Sequence, residues 1–145
     1  METQRVDPAA LGLLIYRAHQ LARARANEAA RPTGIELQHA GVLTAVRDGR
    51  ARSQRELGSA LGIDKSTLVR IVDDLEQRGL LRRQRAAQDR RAYEILITEA
   101  GERHLAEASE LFRRAMGELL EAALDADQQH QLQELLARFV AQAPA

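Results

Sequence analysis

The side chains best equipped for chemistry in this 145-residue chain are cations and hydroxyls in its middle third. Asp64 is a good helix cap, and Lys65, Ser66, Thr67, Val69 and Arg70 follow it. At helical spacing Leu68, Ile71, Val72 and Leu75 face inward, which leaves those five residues on the outer side of the first turns. That set suits the edge of a DNA duplex. A guanidinium such as that of Arg70 can grip guanine bidentately, and the hydroxyls of Ser66 and Thr67 can bond a base or a phosphate. Upstream, Ser53 and Gln54 stand at another helix start, where free backbone amides can hold a phosphate. Downstream, Arg85, Arg90 and Arg91 flank a polar turn, and paired guanidiniums there suit a narrow, negative minor groove.

Other chemistry is poorly served. His19, His39, His104 and His130 are scattered, with no His-x-x-x-His pair. His104 and Glu107 lie one turn apart, so a zinc-responsive protein using His39, His104 and Glu107 is an alternative reading. The plainer reading of each His is a solvated or hydrogen-bonded side chain, with no resident metal. No nucleophile–base–orienter set is visible, because Ser53, Ser59, Ser66 and Ser109 are explained by caps or helix surface. The chain therefore reads as no enzyme, with no cofactor. It has no cysteine, which excludes disulfides, thiolate metal sites and a thiol switch. No apolar run approaches the roughly 20 residues of a membrane span. Met1 to Arg5 reads as the lead-in to a helix rather than a signal peptide, so the expected location is cytoplasmic, with no membrane partner.

Charge sharpens the picture. The formal net charge is +0, yet residues 52–93 carry nine Arg and one Lys against six acids, a net of +4. Residues 94–145 carry four Arg against ten acids, a net of −6. A basic middle suits a phosphate-facing surface.

The elements that must position these residues can be read from caps and periodicity. Asp7-Pro8 opens a first helix carrying Leu11, Leu14, Ile15, Ala18, Leu21 and Ala22, which should run to about Ala30 and stop at Arg31-Pro32-Thr33-Gly34. A second helix runs from about Glu36 to Asp48, with Leu43 and Val46 inward and Gly49 closing it. Ser53 and Glu56 form a capping box for a short helix that ends at Gly62. Asp64 then starts the next helix, which ends at Gly79. Two helices meeting across Gly62-Ile63 have the spacing of a helix-turn-helix. Leu81–Arg85 and Tyr93–Ile97 read as a β-hairpin with the arginine-bearing loop at its tip. Thr98 caps a long helix with Leu105, Ala108, Leu111, Phe112, Ala115, Leu119, Leu120 and Ala123 on one stripe. Asp125-Ala126-Asp127 interrupts it before a last helix with Leu132, Leu135, Leu136, Phe139 and Val140. Aromatics are only 3%, so the core must be aliphatic. The fold class is mainly α with a small β-hairpin wing. The stripes of the outer helices are too long for one small lobe to cover, which implies a partner helix.

Read together, Ser53-Gln54-Arg55-Glu56-Leu57, Leu61-Gly62-Ile63-Asp64-Lys65-Ser66-Thr67-Leu68, Asp73-Asp74-Leu75-Glu76-Gln77-Arg78-Gly79-Leu80, Asp89-Arg90-Arg91-Ala92 and Leu96-Ile97-Thr98-Glu99-Ala100-Gly101 resemble the MarR (multiple antibiotic resistance regulator) family. Ile35-Glu36-Leu37-Gln38-His39-Ala40-Gly41-Val42-Leu43 resembles its second-helix signature. The resemblance covers nearly the whole chain, most closely residues 35–105. It implies a winged helix-turn-helix lobe over residues 35–98, with dimerisation helices over 7–31 and 99–143. It implies a homodimer gripping a pseudo-palindromic operator in double-stranded DNA, most often as a repressor relieved by a small, aromatic or phenolic effector. It puts Arg91 at the wing-tip arginine position with Asp89 orienting it, and Lys65, Ser66, Thr67 and Arg70 at recognition-helix positions. It also places effectors in a cleft bounded by the first two helices, which makes Tyr16, Arg17, His19 and His39 candidate contacts. Two departures stand out: Ala86-Ala87 replaces the usual Asp-Pro of the wing, and His39 stands where Gln is frequent. The alternative from another class is a winged-fold protein-interaction module that does not bind DNA.

Overall fold

The computed structural model describes residues 5–142. Residues 1–4, the start of the expected lead-in, and residue 143, the expected end of the C-terminal arm, lie outside them. Asp7 Oδ1 accepts the Ala9 N–H at 3.0 Å, and Pro8 occupies the first turn of α1 (Pro8–Ala29). A 3-10 turn, Arg31–Thr33, ends the helix, and Gly34 takes a left-handed φ of 67° to turn the chain into α2 (Leu37–Arg47). Helices α3 (Gln54–Leu61) and α4 (Lys65–Gln77) follow. Gly62 joins them at φ 62°, a conformation a side chain would strain, so the tight turn between the two helices depends on this glycine.

Strands β1 (Leu81–Arg85) and β2 (Tyr93–Ile97) form one antiparallel hairpin in which Leu81 faces Ile97, Arg83 faces Ile95 and Arg85 faces Tyr93. At its base the ladder continues with Thr98 N–H donating to Leu80 O at 3.1 Å; Leu80 N–H ties it to α4 through Leu75 O at 2.9 Å, and Ile95 N–H ties it to the segment before α3 through Arg52 O at 2.9 Å. Helices α5 (Glu99–Glu121) and α6 (Ala126–Val140) complete the chain. Thr98 Oγ1 caps α5 by accepting from Gly101 N–H, as its position before the helix predicts. Gly101 presses against the hairpin base so closely that a Cβ there would run into the Leu80 carbonyl oxygen and stand 2.8 Å from Ile97 Cγ1. The architecture is thus helix, helix, helix-turn-helix, wing, long helix, helix. The mainly α fold with a β wing is as expected.

The core lies inside the winged lobe. Leu43, Leu57, Leu68, Leu75, Leu81 and Leu105 are almost wholly buried, with Val42 and Val72 between them. Helix α2 runs through the centre, and the first half of α5 closes the lobe with Leu105 and Ala108.

Several local expectations need correction. The Ser53 capping box is only half formed. Ser53 Oγ accepts the Glu56 N–H at 3.2 Å, but Glu56 Oε2 takes the Arg52 N–H at 2.8 Å, one residue before the cap. The full boxes are elsewhere, at Glu36/His39 and at Asp125/Gln128. Ala123 lies past the end of α5, so it is not part of that helical stripe. Within one chain the α1 stripe of Leu11, Leu14, Ile15 and Leu21 is exposed, and so are Leu135, Leu136, Phe139 and Val140 on α6.

Candidate nucleic-acid interface

The outward surface of α4 begins at its cap. Asp64 Oδ1 accepts both the Thr67 N–H at 2.9 Å and the Ser66 hydroxyl at 2.7 Å. Those bonds lower its pKa to about 2, so the cap is ionised at any ordinary pH. The Ser66 hydrogen is committed to Asp64, which leaves its oxygen mainly as an acceptor. Lys65 and Arg70 project into solvent, whereas Thr67 and Val69 are half-buried. Ser53 and Gln54, half-buried, sit at the start of α3, and the Ser53 hydroxyl still has a hydrogen to give beyond its cap bond.

The hairpin ends in a compact turn. Ala86 N–H donates to Ala92 O at 2.9 Å, and Ala92 N–H to Asp89 O at 3.1 Å. Asp89 Oδ1 accepts the Arg91 backbone N–H at 2.9 Å, so it shapes the turn through the main chain rather than gripping the guanidinium. Arg90 and Arg91 are exposed at the tip. Arg85 is engaged locally: its Nη1 donates to Arg90 O at 2.8 Å, and its guanidinium carbon lies 5.7 Å from the centre of the Tyr93 ring. Among the described residues no carboxylate pairs with Lys65, Arg70, Arg90 or Arg91, whereas Arg47, Arg78, Arg83, Arg103, Arg113 and Arg114 all have acidic partners within 4 Å. The arginines at α4 and the hairpin tip are therefore free to meet an external anion.

The first two helices do not assemble the expected effector contacts. Tyr16, Arg17 and His19 are exposed on the outer part of α1. His39 is turned into the lobe: its Nδ1 accepts the Glu36 N–H at 3.1 Å, which leaves Nε2–H directed at Asp74, 3.4 Å away. Burial pushes the His39 pKa below 6.5, against the pull of Asp74 and Glu36. Arg78 completes this joint by donating to Gly34 O at 2.9 Å and Thr33 O at 3.3 Å. His104 turns its Nδ1 to the Ala100 carbonyl at 2.8 Å, and among the described residues no three His, Asp or Glu side chains gather as a metal site would require. A cleft of about 460 Å³ does exist between α2, α3 and α5. Leu37, Ala40, Gly41, Ala45, Leu61 and Phe112 give it apolar walls, and Thr44, Ser109 and Arg50 supply polar groups.

The sequence reading missed one constellation. Arg83, in the middle of β1, donates to Asp73 at 2.9 Å, to Glu76 at 3.1 Å and to Gln54 at 3.4 Å. The only available signal was an Asp73/Glu76 pair one turn apart on α4 beside a strand rich in Arg. Sequence alone cannot tell which arginine turns inward.

The MarR family model matches residues 33–92, the span from the turn before α2 to the hairpin tip. Whole-chain likenesses extend to both ends. The apo form of MarR from E. coli superposes with a TM-score of 0.82 at 26% identity, covering 93% of this chain and 98% of that one. CouR from Rhodococcus jostii RHA1, solved with p-coumaroyl-CoA, gives 0.76 at 28% identity over 93% of this chain and 94% of its own. The repressor CouR solved with a 23-mer DNA duplex gives 0.80 at 28% identity over 90% and 92%. With a winged helix-turn-helix lobe, the same order of flanking helices and the family model matched over the lobe, the chain is similar to MarR-family regulators in both fold and sequence.

Proposed function

We propose that this protein is a homodimeric, sequence-specific DNA-binding transcriptional regulator. In this reading it is a repressor whose hold on a pseudo-palindromic operator is loosened by a small effector. The observation that carries the reading is the pair of acid-free cationic surfaces, Lys65 and Arg70 on α4 and Arg90 and Arg91 at the hairpin tip. A helix with an exposed, cationic first turn fits the major groove, and the hairpin tip reaches the adjacent minor groove. The DNA duplex bound by CouR and the operator bound by a variant of MarR from E. coli support the same use of this fold. The exposed leucines of α1 and α6 supply an apolar surface for a second copy. Two-fold pairing would set two recognition helices about 34–36 Å apart, one helical turn of DNA. Bound at a promoter, such a dimer blocks polymerase.

For the effector, the α2–α3–α5 cleft is a better receptacle than Tyr16, Arg17, His19 and His39. Its apolar walls and the Arg50 guanidinium suit a small molecule with an apolar body and an anionic end. It lies where the lobe meets α5, so occupancy favours one lobe position over another and shifts DNA affinity by that difference. No helix among the described residues is long and apolar enough to cross a membrane.

The test is fluorescence anisotropy against duplex DNA from upstream of the protein's own gene, across a salt series. Arg70→Ala should weaken binding by about 1–3 kcal/mol and relax preference at one base pair. Arg91→Ala should weaken binding and flatten its salt dependence. Weak binding, equal on random DNA and indifferent to both substitutions, would overturn the reading.

A further inference from the structure

We propose that Arg83 is a positioning residue: it locks the hairpin against α4 and so sets where Arg90 and Arg91 meet DNA. This rests on the DNA-binding reading above but concerns a residue that itself touches no nucleic acid in that reading.

The hairpin is anchored unevenly along its length. Its base is held by backbone bonds at Leu80, Ile95 and Thr98. Further out, the hydrogen bonds of residues 84–94 stay within the hairpin: Ala86 with Ala92, Ala92 with Asp89, Arg91 with Asp89, Arg85 with Arg90, and Gln84 with Arg82. Arg83 pairs with Ile95 across the hairpin, so its side chain and the Ile95 amide form the outermost hydrogen-bonded ties to the rest of the lobe. Everything distal to that rung is a lever.

The tie is built for direction. Two terminal nitrogens of one planar guanidinium reach two carboxylates a turn apart on α4, Asp73 at 2.9 Å and Glu76 at 3.1 Å. A fork with two fixed donors orients as well as attracts, which a lysine ammonium does not do. Glu76 depends on it, because Arg83 is the hydrogen-bond partner of its Oε1 while its Oε2 is buried without one. The Arg83 side chain is 30% exposed, so the ion pairs are partly shielded from solvent.

The third contact extends the clamp to α3. Gln54 approaches Arg83 Nη2 through Oε1 at 3.4 Å. A guanidinium only donates, so the amide oxygen must face it and the Gln54 NH₂ points away as a free donor. One arginine thereby fixes the wing, α4 and a side chain at the start of α3 in a single arrangement.

The experiment is a double-substitution cycle of Arg83→Met with Arg91→Ala, read by anisotropy on duplex DNA. Trypsin cleavage after Arg85, Arg90 and Arg91 provides a DNA-free readout on the full chain. Arg91 lies four residues from Ile95, the cross-strand partner of Arg83, so roughly 13 Å separates the two at about 3.3 Å per residue. Independent residues at that separation should give additive effects. Arg91→Ala alone is expected to weaken binding about tenfold. In the Arg83→Met background it should weaken binding less than about twofold, because the tip is already unaimed. Hairpin cleavage should accelerate about tenfold in Arg83→Met, with cleavage elsewhere and the thermal midpoint little changed. Arg83→Lys, with charge but no fork, should fall nearer to Met than to wild type. If Arg83→Met unfolds, Asp73→Asn with Glu76→Gln removes the clamp from the other side and must give the same coupling. Additive effects in the cycle would overturn the proposal. So would hairpin cleavage unchanged by loss of the clamp, a result that stands even if wild type proves not to bind DNA.

Discussion

Leu43 and Leu75, in the winged lobe, have no solvent-exposed surface, whereas Leu14 on α1 and Phe139 on α6 are each 59% exposed. The two regions carry the same kind of apolar stripe at the same helical period. In the lobe, α2, α3, α4, the hairpin base and the first half of α5 surround one aliphatic core. In the outer helices much of the stripe stays exposed within one chain, although α1 packs in part against α5. A monomeric protein seldom shows contiguous apolar faces of this kind unless they are a contact surface. The comparison separates what the chain needs in order to fold from what it needs in order to assemble.

The sharpest way to break that comparison is to charge the outer helices. Leu14→Glu combined with Phe139→Glu should convert a dimer to monomer at micromolar concentration, read as a halved mass by light scattering. The far-UV helical signal of the lobe should persist, while operator affinity collapses because two linked half-sites become two separate ones. An unchanged mass would show that these faces do not hold the assembly.

The lobe should respond in the opposite sense. Leu75→Ala leaves a cavity in a core with no solvent access, and the expected loss is about 2–5 kcal/mol in urea unfolding. The Leu14 and Phe139 sites carry no such intrachain packing, so a comparable loss on truncating either to Ala at low protein concentration would erase the distinction between the two regions.

This contrast also marks what the sequence could disclose. Caps and stops are local signals, and Asp7-Pro8, Gly34, Gly62, Asp64, Thr98 and Asp125 located the helix ends to within a residue or two because each acts on its own turn of backbone. The helix-turn-helix and the hairpin followed from those boundaries. Outward faces were legible too, since period alone puts Ser66 and Arg70 opposite Leu68 and Leu75 and leaves Lys65 on the flank. Partnerships were not. Arg83 finds Gln54 across 29 positions, His39 finds Asp74 across 35 and Arg78 finds Gly34 across 44. Alternation sets Arg83 on the face of Leu81 and Arg82 on the other, but nothing local distinguishes Arg83 from Arg85, although one is clamped to α4 and the other lies over Tyr93. The half-formed box at Ser53 failed for a related reason: Glu56 could reach either of two adjacent amides, and the fold presented that of Arg52.

The smallest expected effect lies at the joint between α2 and α4. His39 accepts a backbone N–H through Nδ1, which requires the neutral ring. Burial disfavours the cation, Arg78 and Arg70 add to that, and Asp74 and Glu36 oppose it; the net result is a pKa below 6.5. A folded-state pKa lower than the unfolded one means that the unfolded chain binds the proton first. The stability contributed by neutral His39 is therefore fully present above about pH 6.5 and declines as pH falls toward the depressed value. His39→Gln offers a side-chain oxygen to the same Glu36 amide and does not titrate. Between about pH 8 and about pH 5.5 the urea midpoint of wild type should fall more than that of the variant, the other histidines being common to both. Parallel profiles would mean that the ring stays neutral down to about pH 5.5, with Nδ1 still accepting from Glu36 and Nε2–H still facing Asp74. That outcome would move the pH response of the α2–α4 joint from His39 to its carboxylate partners.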